Sequence, residues 1–262
     1  MVNIIAEIGI NHNGSIEECK KLIMLSKVAG IKYAKIQKRN PDVCVPEHQK
    51  SKLRQTPWGE MTYLEYKNKI EFSESDIEEL VKFSKSIDIT LFASVWDVDS
   101  VHVMAKYTKI AKIGSASITD LELCKEARKC FDFLIISTGM STEDEIEECV
   151  KNCNPDVIMH TNSTYPCPVE DINLQYISWL KCKYPEKEIG YSGHEHELST
   201  TVASVVLGAT WIERHVTMDK NQWGSDHSSS LEPQELLSIV KDIRAVEEAT
   251  KYKPQKRIQF AG

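Results

Sequence analysis

The sequence lacks the features that mark several large classes of protein. No apolar run approaches the ~18–20 residues that a membrane-spanning helix needs. No basic segment followed by an apolar one opens the chain at Met1, so we expect no secretory signal peptide. Positive charge is not in excess, because 32 Lys and Arg residues stand against 39 Asp and Glu residues, a net charge of −7. Since nucleic-acid binding requires clustered basic residues, we expect no nucleic-acid partner. From the missing signal peptide and the missing apolar run, we expect a cytoplasmic protein without a membrane partner.

The eight cysteines contain no C-x-x-C pair. They are scattered along the chain, at Cys19, Cys44, Cys124, Cys130, Cys149, Cys153, Cys167 and Cys182. In a reducing compartment this pattern predicts free thiols and favours neither a disulfide framework nor a structural zinc site.

Short apolar runs alternate with longer amphipathic segments along the whole chain. Eight of these runs are predicted strands, at residues 3–9, 31–37, 89–94, 109–114, 132–137, 156–161, 188–192 and 210–216. Most are almost continuously apolar, as expected for parallel strands buried on both faces. Eight strand–helix units fill the ~250 residues of a (β/α)8 TIM barrel, so we predict this α/β fold as a single domain over residues 1–262. The alternative is a doubly wound sheet, which the missing G-x-G-x-x-G turn after the first strand disfavours.

Predicted helices begin at recognisable capping residues. Capping boxes are predicted at Ser15 with Glu18, Thr119 with Glu122, and Thr142 with Glu145. The helices with the clearest bounds are 16–29, 120–129, 143–153 and 233–248. Residues 38–71 are too long for an ordinary strand–helix loop, and we expect an irregular lid or substrate loop there.

Polar side chains stand at the carboxyl end of every predicted strand, where a TIM barrel carries its catalytic groups. They include Glu7, Lys35, Gln37, Ser94, Lys112, Ser115, Ser137, Ser163, Tyr165 and Ser192. A single lysine at such a position usually extends to solvent. Two lysines, Lys35 and Lys112, with hydroxyls on neighbouring strands instead indicate a pocket for phosphate and carboxylate groups. Either lysine also suits Schiff-base chemistry.

Two histidines, His194 and His215, lie on the adjacent seventh and eighth strands. A lone strand histidine is more often a core residue. Two neutral imidazoles with open positions beside them suit a Lewis-acidic Mn²⁺, Zn²⁺ or Fe²⁺ ion. His196 is an alternative ligand, and Asp226 lies in a loop that reaches the same end of the barrel.

These residues belong to a series of motifs that resembles the sialic acid synthase family, the N-acetylneuraminate synthases with their legionaminate and pseudaminate relatives. The motifs are AEIGINHNG at 6–14, AKIQK at 34–38, KIGS at 112–115, STGM at 137–140, STYP at 163–166, GYSGHE at 190–195, ERHVT at 213–217 and GSDHSSSLEP at 224–233. They follow the family's order over almost the whole chain, each at a predicted strand end.

The resemblance implies a metal-dependent condensation of phosphoenolpyruvate with an open-chain N-acyl mannosamine-type sugar. The products would be a nine-carbon 2-keto-3-deoxy sugar acid and inorganic phosphate. His194 and His215 would hold the metal, for which Mn²⁺ is the expectation and Mg²⁺ or Co²⁺ the alternatives.

The resemblance also implies roles for the other residues. The groups that would hold phosphoenolpyruvate are Lys35, Ser94, Lys112, Ser115, Ser163 and Ser192. Glu7 and Asp226 would bind sugar hydroxyls or move protons, and Tyr165 would line the sugar site. Gln37 and Ser137 are further candidates for substrate binding.

Two departures from the family pattern affect the sugar site. The family usually continues KIGS with Gly and an acidic residue, whereas this chain has Ala116 and Ser117. The family also commonly carries a C-terminal antifreeze-like domain that lends an arginine to the partner subunit. Because the sequence stops at Gly262, we expect no such domain here, and either a homodimer or a separate antifreeze-like protein as a partner.

Two other functions remain open from the residues alone. One is a Schiff-base, class I-like pyruvate aldolase that uses Lys35 or Lys112 without a metal. The other is a non-catalytic sugar-binding barrel that partners a full-length synthase, which the departures above motivate.

Overall fold

The computed structural model describes residues 1–254. Its strands are β1 (Asn3–Gly9), β2 (Tyr33–Lys38), β3 (Leu53–Thr56), β4 (Gly59–Thr62), β5 (Thr90–Val95), β6 (Ile110–Ile113), β7 (Phe133–Ser137), β8 (Val157–Thr161), β9 (Glu188–Gly193) and β10 (Trp211–His215). All except β3 and β4 form a closed parallel barrel in the order β1, β2, β5, β6, β7, β8, β9, β10 and back to β1. The predicted TIM barrel is therefore confirmed, while the predicted domain end at 262 lies outside the described residues.

Helices follow the barrel strands and form the outer layer. They are α1 (Ile16–Val28), α2 (Pro41–Cys44), α3 (Glu47–Lys50), α4 (Tyr63–Ile70), α5 (Glu74–Ser86), α6 (Val98–Ala105), α7 (Leu121–Cys130), α8 (Glu143–Cys153), α9 (Gln175–Lys183), α10 (Leu198–Val206) and α11 (Pro233–Ala249). Every predicted strand, and each of the four helices given bounds, matches an observed element to within two residues at either end.

The structure confirms some of the predicted helix caps and contradicts others. Thr142 and Glu145 form the expected reciprocal capping box at the start of α8. Ser15 caps α1, but Glu18 pairs with Lys21 instead of completing the box. The prediction at Thr119 was wrong: Asp120 caps α7 by accepting a hydrogen bond from the Leu123 amide at 3.0 Å. A carboxylate at the N-cap is favoured there because it also interacts with the positive end of the helix dipole.

Apolar side chains fill both sides of the barrel wall. Inside it, the cluster consists of Ile5, Phe92, Ile110, Ile135, Val157, Met159 and Trp211. Alternate residues face outward and pack beneath the helices, which explains why the strands read as almost unbroken apolar runs. This interior packing closes the barrel below its carboxyl end and leaves the polar groups at that end.

Residues 38–71, which we call the insert, are ordered, so the prediction of irregular structure was wrong. The insert contains α2, α3, an antiparallel β3–β4 hairpin and α4. The Asn40 side chain caps α2 and Pro41 occupies its first turn, a favoured position for proline. Tyr66 and Ile70 of α4 pack with Trp223 at the barrel mouth.

All eight cysteines lie within residues 1–254, and none of them forms a disulfide there. Among residues 1–254, no helix is both long and apolar enough to cross a membrane.

Candidate active site

A cavity of about 190 Å³ opens at the carboxyl ends of the barrel strands. All eight barrel strands contribute to its wall. Of the thirteen predicted site residues, twelve line it: Glu7, Lys35, Gln37, Ser94, Lys112, Ser115, Ser137, Ser163, Tyr165, Ser192, His194 and His215. The thirteenth, Asp226, is not part of the wall but lies 3.9 Å from a nitrogen of His215.

Four buried charges of alternating sign cross the floor of the cavity. Lys35 Nζ lies 2.8 Å from Glu7 Oε2 and 3.6 Å from Glu213 Oε1, and Lys112 Nζ lies 2.7 Å from the same Glu213 oxygen. All four side chains are at most 4% exposed. The barrel register creates this arrangement, since Glu7 pairs with Lys35 across β1 and β2, whereas Glu213 reaches Lys112 across the barrel. Charges are tolerated at this depth because each has an opposite charge in contact.

Burial and neighbouring charges shift these pKa values in different directions. Burial raises the pKa of Glu7 above its usual range. Burial acts the same way on Glu213, but the charges of Lys112 and Lys35 outweigh it and lower the pKa of Glu213. Burial lowers the pKa of Lys112, while for Lys35 the two carboxylates outweigh burial and raise the pKa. Glu7 is therefore the carboxylate in this cluster best suited to carrying a proton near neutral pH.

Hydroxyl groups surround the lysines. Ser94 Oγ accepts a hydrogen bond from Lys35 at 2.6 Å, and Ser192 Oγ donates to Glu213 at 3.2 Å. Ser115 Oγ accepts from the Gly139 amide at 3.1 Å. Ser137 Oγ is buried with no hydrogen-bond partner in the described part of the chain. Two ammonium groups ringed by hydroxyls form a site suited to an anion with several oxygens.

His194 and His215 face each other with ring centroids 5.5 Å apart. His194 Nδ1 donates to the carbonyl of Asn162 at 2.6 Å, and Nε2 accepts from the Tyr165 hydroxyl at 2.8 Å. Burial and the neighbouring His215 lower the pKa of His194 to about 3, so its imidazole is neutral at pH 7. His215 Nδ1 is buried and, within residues 1–254, makes no hydrogen bond.

Neutral imidazoles are the form that binds metal ions, and an unpartnered buried nitrogen is a candidate ligand atom. Two imidazoles near the carboxylates of Glu7 and Asp226 therefore fit a divalent ion that accepts nitrogen and oxygen ligands. Among the described residues, the two histidines belong to no cluster of three potential ligand atoms within 4.8 Å. An ion with two imidazole ligands has further coordination positions that other groups can fill.

Gly9 leaves room for the imidazole ring of His215. Gly9 has a φ of +57°, and a Cβ atom on it would lie 3.2 Å from His215 Cε1. A residue with a side chain would meet both backbone strain and contact with the imidazole at this point.

The residues that line the cavity differ in part from the predicted set. His196 is exposed and does not line the cavity, whereas His194 does. Glu213 is the main cavity residue absent from the predicted set, although it precedes His215 by two residues and so shares its side of β10. Trp96, Met140 and Thr161 also line the cavity without having been predicted. Trp96 and Met140 follow strand ends without a charge or hydroxyl to mark them.

Comparison with known proteins identifies the family of the chain. The model of the NeuB family matches residues 22–255. The chain belongs to the NeuB family. It is 36% identical to a human N-acetylneuraminate-9-phosphate synthase, over 94% of this chain and 70% of that protein. It is 34% identical to an N,N'-diacetyllegionaminic acid synthase of Campylobacter jejuni, over 94% of this chain and 76% of that protein.

A solved structure agrees with these relatives. The N-acetylneuraminic acid synthetase of Leptospira borgpetersenii, solved in complex with citrate, superposes with a TM-score of 0.86 at 29% identity. The match covers 97% of this chain and 87% of the other. The NeuB-family match covers seven of the eight strands that supply the cavity, since it begins at residue 22, after β1.

Proposed function

We propose that this NeuB-family chain condenses phosphoenolpyruvate with the open-chain form of an N-acyl mannosamine-type sugar. The products are a nine-carbon 2-keto-3-deoxy sugar acid and inorganic phosphate. The convergence of Lys35 and Lys112 on one buried cavity carries the proposal, because phosphoenolpyruvate presents a carboxylate and a phosphate a few ångströms apart. The names of the relatives, which are synthases of sialic acid-type sugars, support the same reaction class.

The proposed binding of phosphoenolpyruvate follows from the charges. The two ammonium groups supply the positive charge, and the hydroxyls of Ser94, Ser115 and Ser137 supply hydrogen bonds. The buried, unpartnered Ser137 hydroxyl is well suited to this role, since a buried hydroxyl is costly until it is paired. Binding an anion would draw Lys112 away from Glu213, so the carboxylate holds the lysine in place until substrate arrives.

His194 and His215 are the proposed holders of a divalent metal ion, with Mn²⁺ as the expected metal. When bound, such an ion would polarise the sugar aldehyde as a Lewis acid. Tyr165 donates to His194 and lines the cavity, so we place it at the sugar side of the site. Gln37 lines the cavity and Asp226 lies 3.9 Å from His215, and we assign both residues to sugar hydroxyls.

The reaction balances as follows. A carbon–carbon bond forms between C3 of phosphoenolpyruvate and the aldehyde carbon, and the aldehyde oxygen takes up a proton. Water adds to C2 and loses one proton. The second proton leaves as the resulting C2 hydroxyl becomes the keto group, while the bond from C2 to the phosphate oxygen breaks and releases phosphate. We assign proton exchange with the reacting oxygens to Glu7, because burial raises its pKa and it borders the cavity beside His215.

Sugar choice is set by the upper wall of the cavity. Ala116 lines the cavity at the position where the family pattern has glycine, and the next residue, Ser117, stands where that pattern has an acidic side chain. The relatives named above make different sugar acids, one of them phosphorylated. We therefore propose the reaction class, and an activity assay with several sugars identifies the sugar substrate.

The test is release of phosphate from phosphoenolpyruvate by metal-loaded protein, across a panel of N-acyl hexosamines and their 6-phosphates, with mass detection of the keto acid. We expect turnover that needs both Mn²⁺ and one of the sugars. His215→Ala should abolish turnover without unfolding the protein, whereas the exposed His102→Ala on α6 should retain it. Absence of turnover with every sugar in metal-replete protein would refute the proposal.

The Schiff-base alternative is less well supported. A lysine attacks a carbonyl as the neutral amine. The two carboxylates raise the pKa of Lys35 and so favour its ammonium form, whereas burial lowers the pKa of Lys112, whose Nζ contacts Glu213 at 2.7 Å. Borohydride treatment in the presence of pyruvate should therefore leave the protein mass unchanged. A stable pyruvyl adduct on Lys35 or Lys112 would favour the aldolase instead.

A further inference from the structure

Three of the eight cysteines meet at one point outside the cavity. Cys124 lies on α7, and Cys149 and Cys153 lie on α8. Each residue is at most 1% exposed. Cys149 Sγ is 3.8 Å from Cys124 Sγ and 3.7 Å from Cys153 Sγ, and the three sulfurs all lie within 4.8 Å of one another.

The helices explain how the cluster forms. Cys149 and Cys153 are four residues apart, so their side chains lie on one face of α8, one turn from each other. That face packs against α7, where Cys124 completes the triangle. No C-x-x-C spacing is needed, because two of the ligands come from a single helix turn and the third from the neighbouring helix.

The spacing of the sulfurs matches what a metal ion requires. Zinc–thiolate bonds are about 2.3 Å long, which places the sulfurs of a tetrahedral site roughly 3.8 Å apart. Two of the three separations already have this value within about 0.1 Å, so little movement would be needed for all three thiolates to contact one ion. Within residues 1–254 the cluster contains no carboxylate or imidazole. A donor set made only of sulfur selects thiophilic metals over those that prefer oxygen.

We propose that Cys124, Cys149 and Cys153 form a binding site for one thiophilic divalent ion of the zinc type. The ion would replace the thiol protons, which pass to solvent. Three thiolates and a divalent ion leave one net negative charge, and Arg128, one turn beyond Cys124 on α7, is a nearby positive charge that also pairs with Asp156 at 2.7 Å. The carbonyl oxygens of Ser117 and Ile118, 3.8 Å and 3.6 Å from Cys124 Sγ, are the nearest oxygen donors for a fourth position.

The position of the cluster links it to the cavity. Ser117 and Ile118 directly follow Ser115 and Ala116, which line the cavity wall. An ion at the cysteines would therefore hold the segment that carries Ser115. The cluster is nevertheless a separate site, because none of its three side chains lines the cavity.

The test uses the full chain, reduced and stripped of metal by a chelator, and Cd²⁺ as the probe. A thiolate-to-cadmium ultraviolet charge-transfer band reports only sulfur ligation, so binding at His194 and His215 does not contribute to it. We expect saturation at one equivalent, with a large excess of Zn²⁺ competing for the site and weakening the band. Cys149→Ala and Cys153→Ala should each weaken binding by more than about 100-fold, since loss of an outer-shell partner alone costs about 10–100-fold.

The exposed Cys182→Ala is the matched control and should bind Cd²⁺ as the unaltered protein does. Circular dichroism identifies any variant that fails to fold. X-ray absorption of the Cd²⁺-loaded unaltered protein needs no variant and should show a shell of three sulfurs. The proposal is overturned if the charge-transfer band is missing, if it survives in folded Cys149→Ala and Cys153→Ala, or if the metal shell contains fewer than three sulfurs.

Discussion

Replacing Glu213 with glutamine tests the buried charge cluster directly. The substitution keeps the shape of the side chain and removes the charge that lies 2.7 Å from Lys112 and 3.6 Å from Lys35. Lys35 retains Glu7 as a partner at 2.8 Å, whereas Lys112 loses its main counter-charge. The expected cost therefore falls mainly on a single buried ammonium group.

The magnitude follows from burial. Breaking a buried ion pair by removing one partner typically costs about 3–5 kcal/mol, because the remaining charge is left without compensation. For a domain of this size each kcal/mol lowers the melting temperature by roughly 2–4 °C. We therefore expect Glu213→Gln to melt roughly 6–20 °C below the unaltered protein near neutral pH.

The same variant should show a distinctive pH dependence. Burial already lowers the pKa of Lys112, and loss of Glu213 lowers it further. Between the folded and unfolded pKa values the unfolded state then binds more protons, so the stability of the variant rises with pH. The destabilisation should be larger at about pH 6 than at about pH 9, where Lys112 more readily loses its proton.

The assay is urea unfolding followed by circular dichroism at several pH values. Glu78→Gln is the matched control, since Glu78 pairs with Lys82 at 2.6 Å but on the exposed surface of α5. The control should leave the unfolding midpoint unchanged, because exposed ion pairs contribute little. If Glu213→Gln is as stable as the control across the pH range, the charge cluster is not formed as described.

Three further predictions concern other parts of the molecule. Lys112→Met should weaken phosphoenolpyruvate binding at least about 10-fold in calorimetry, because it removes a charge-assisted contact of roughly 1.5–3 kcal/mol. The control Lys82→Met, at an exposed position, should leave this affinity unchanged. Gly9→Ala should lower the free energy of unfolding by about 1–2 kcal/mol, because Gly9 has a φ of +57°. It should also weaken Mn²⁺ binding, because the new Cβ atom would lie 3.2 Å from His215 Cε1. An unchanged Mn²⁺ affinity in calorimetry would contradict this geometry. Thr142→Ala should cost about 1 kcal/mol of stability by removing the α8 cap, measured by urea unfolding, without changing turnover.

The boundary between what was predictable and what was not is clearest at the insert. Barrel strands carry a long, nearly continuous apolar signal, and their order along the chain leaves few topologies for eight strand–helix units. The insert instead contains four-residue helices and a hairpin of largely exposed residues. Such short elements have too few residues to show a clear periodicity. Their stability depends instead on tertiary contacts, such as the packing of Tyr66 and Ile70 at the barrel mouth.

The sequence by itself determined the barrel and the side chains at its mouth. The reason is local: strand period and strand ends can be read from neighbouring residues, and all parallel strands of a barrel end on one side. Only the tertiary structure decided which charges meet. Glu213 and Lys112 are 101 residues apart, and the three clustered cysteines come from two helices, so closure of the barrel and packing of α7 against α8 bring them together. Contacts of this kind depend on register and helix packing, which no local pattern of residues encodes.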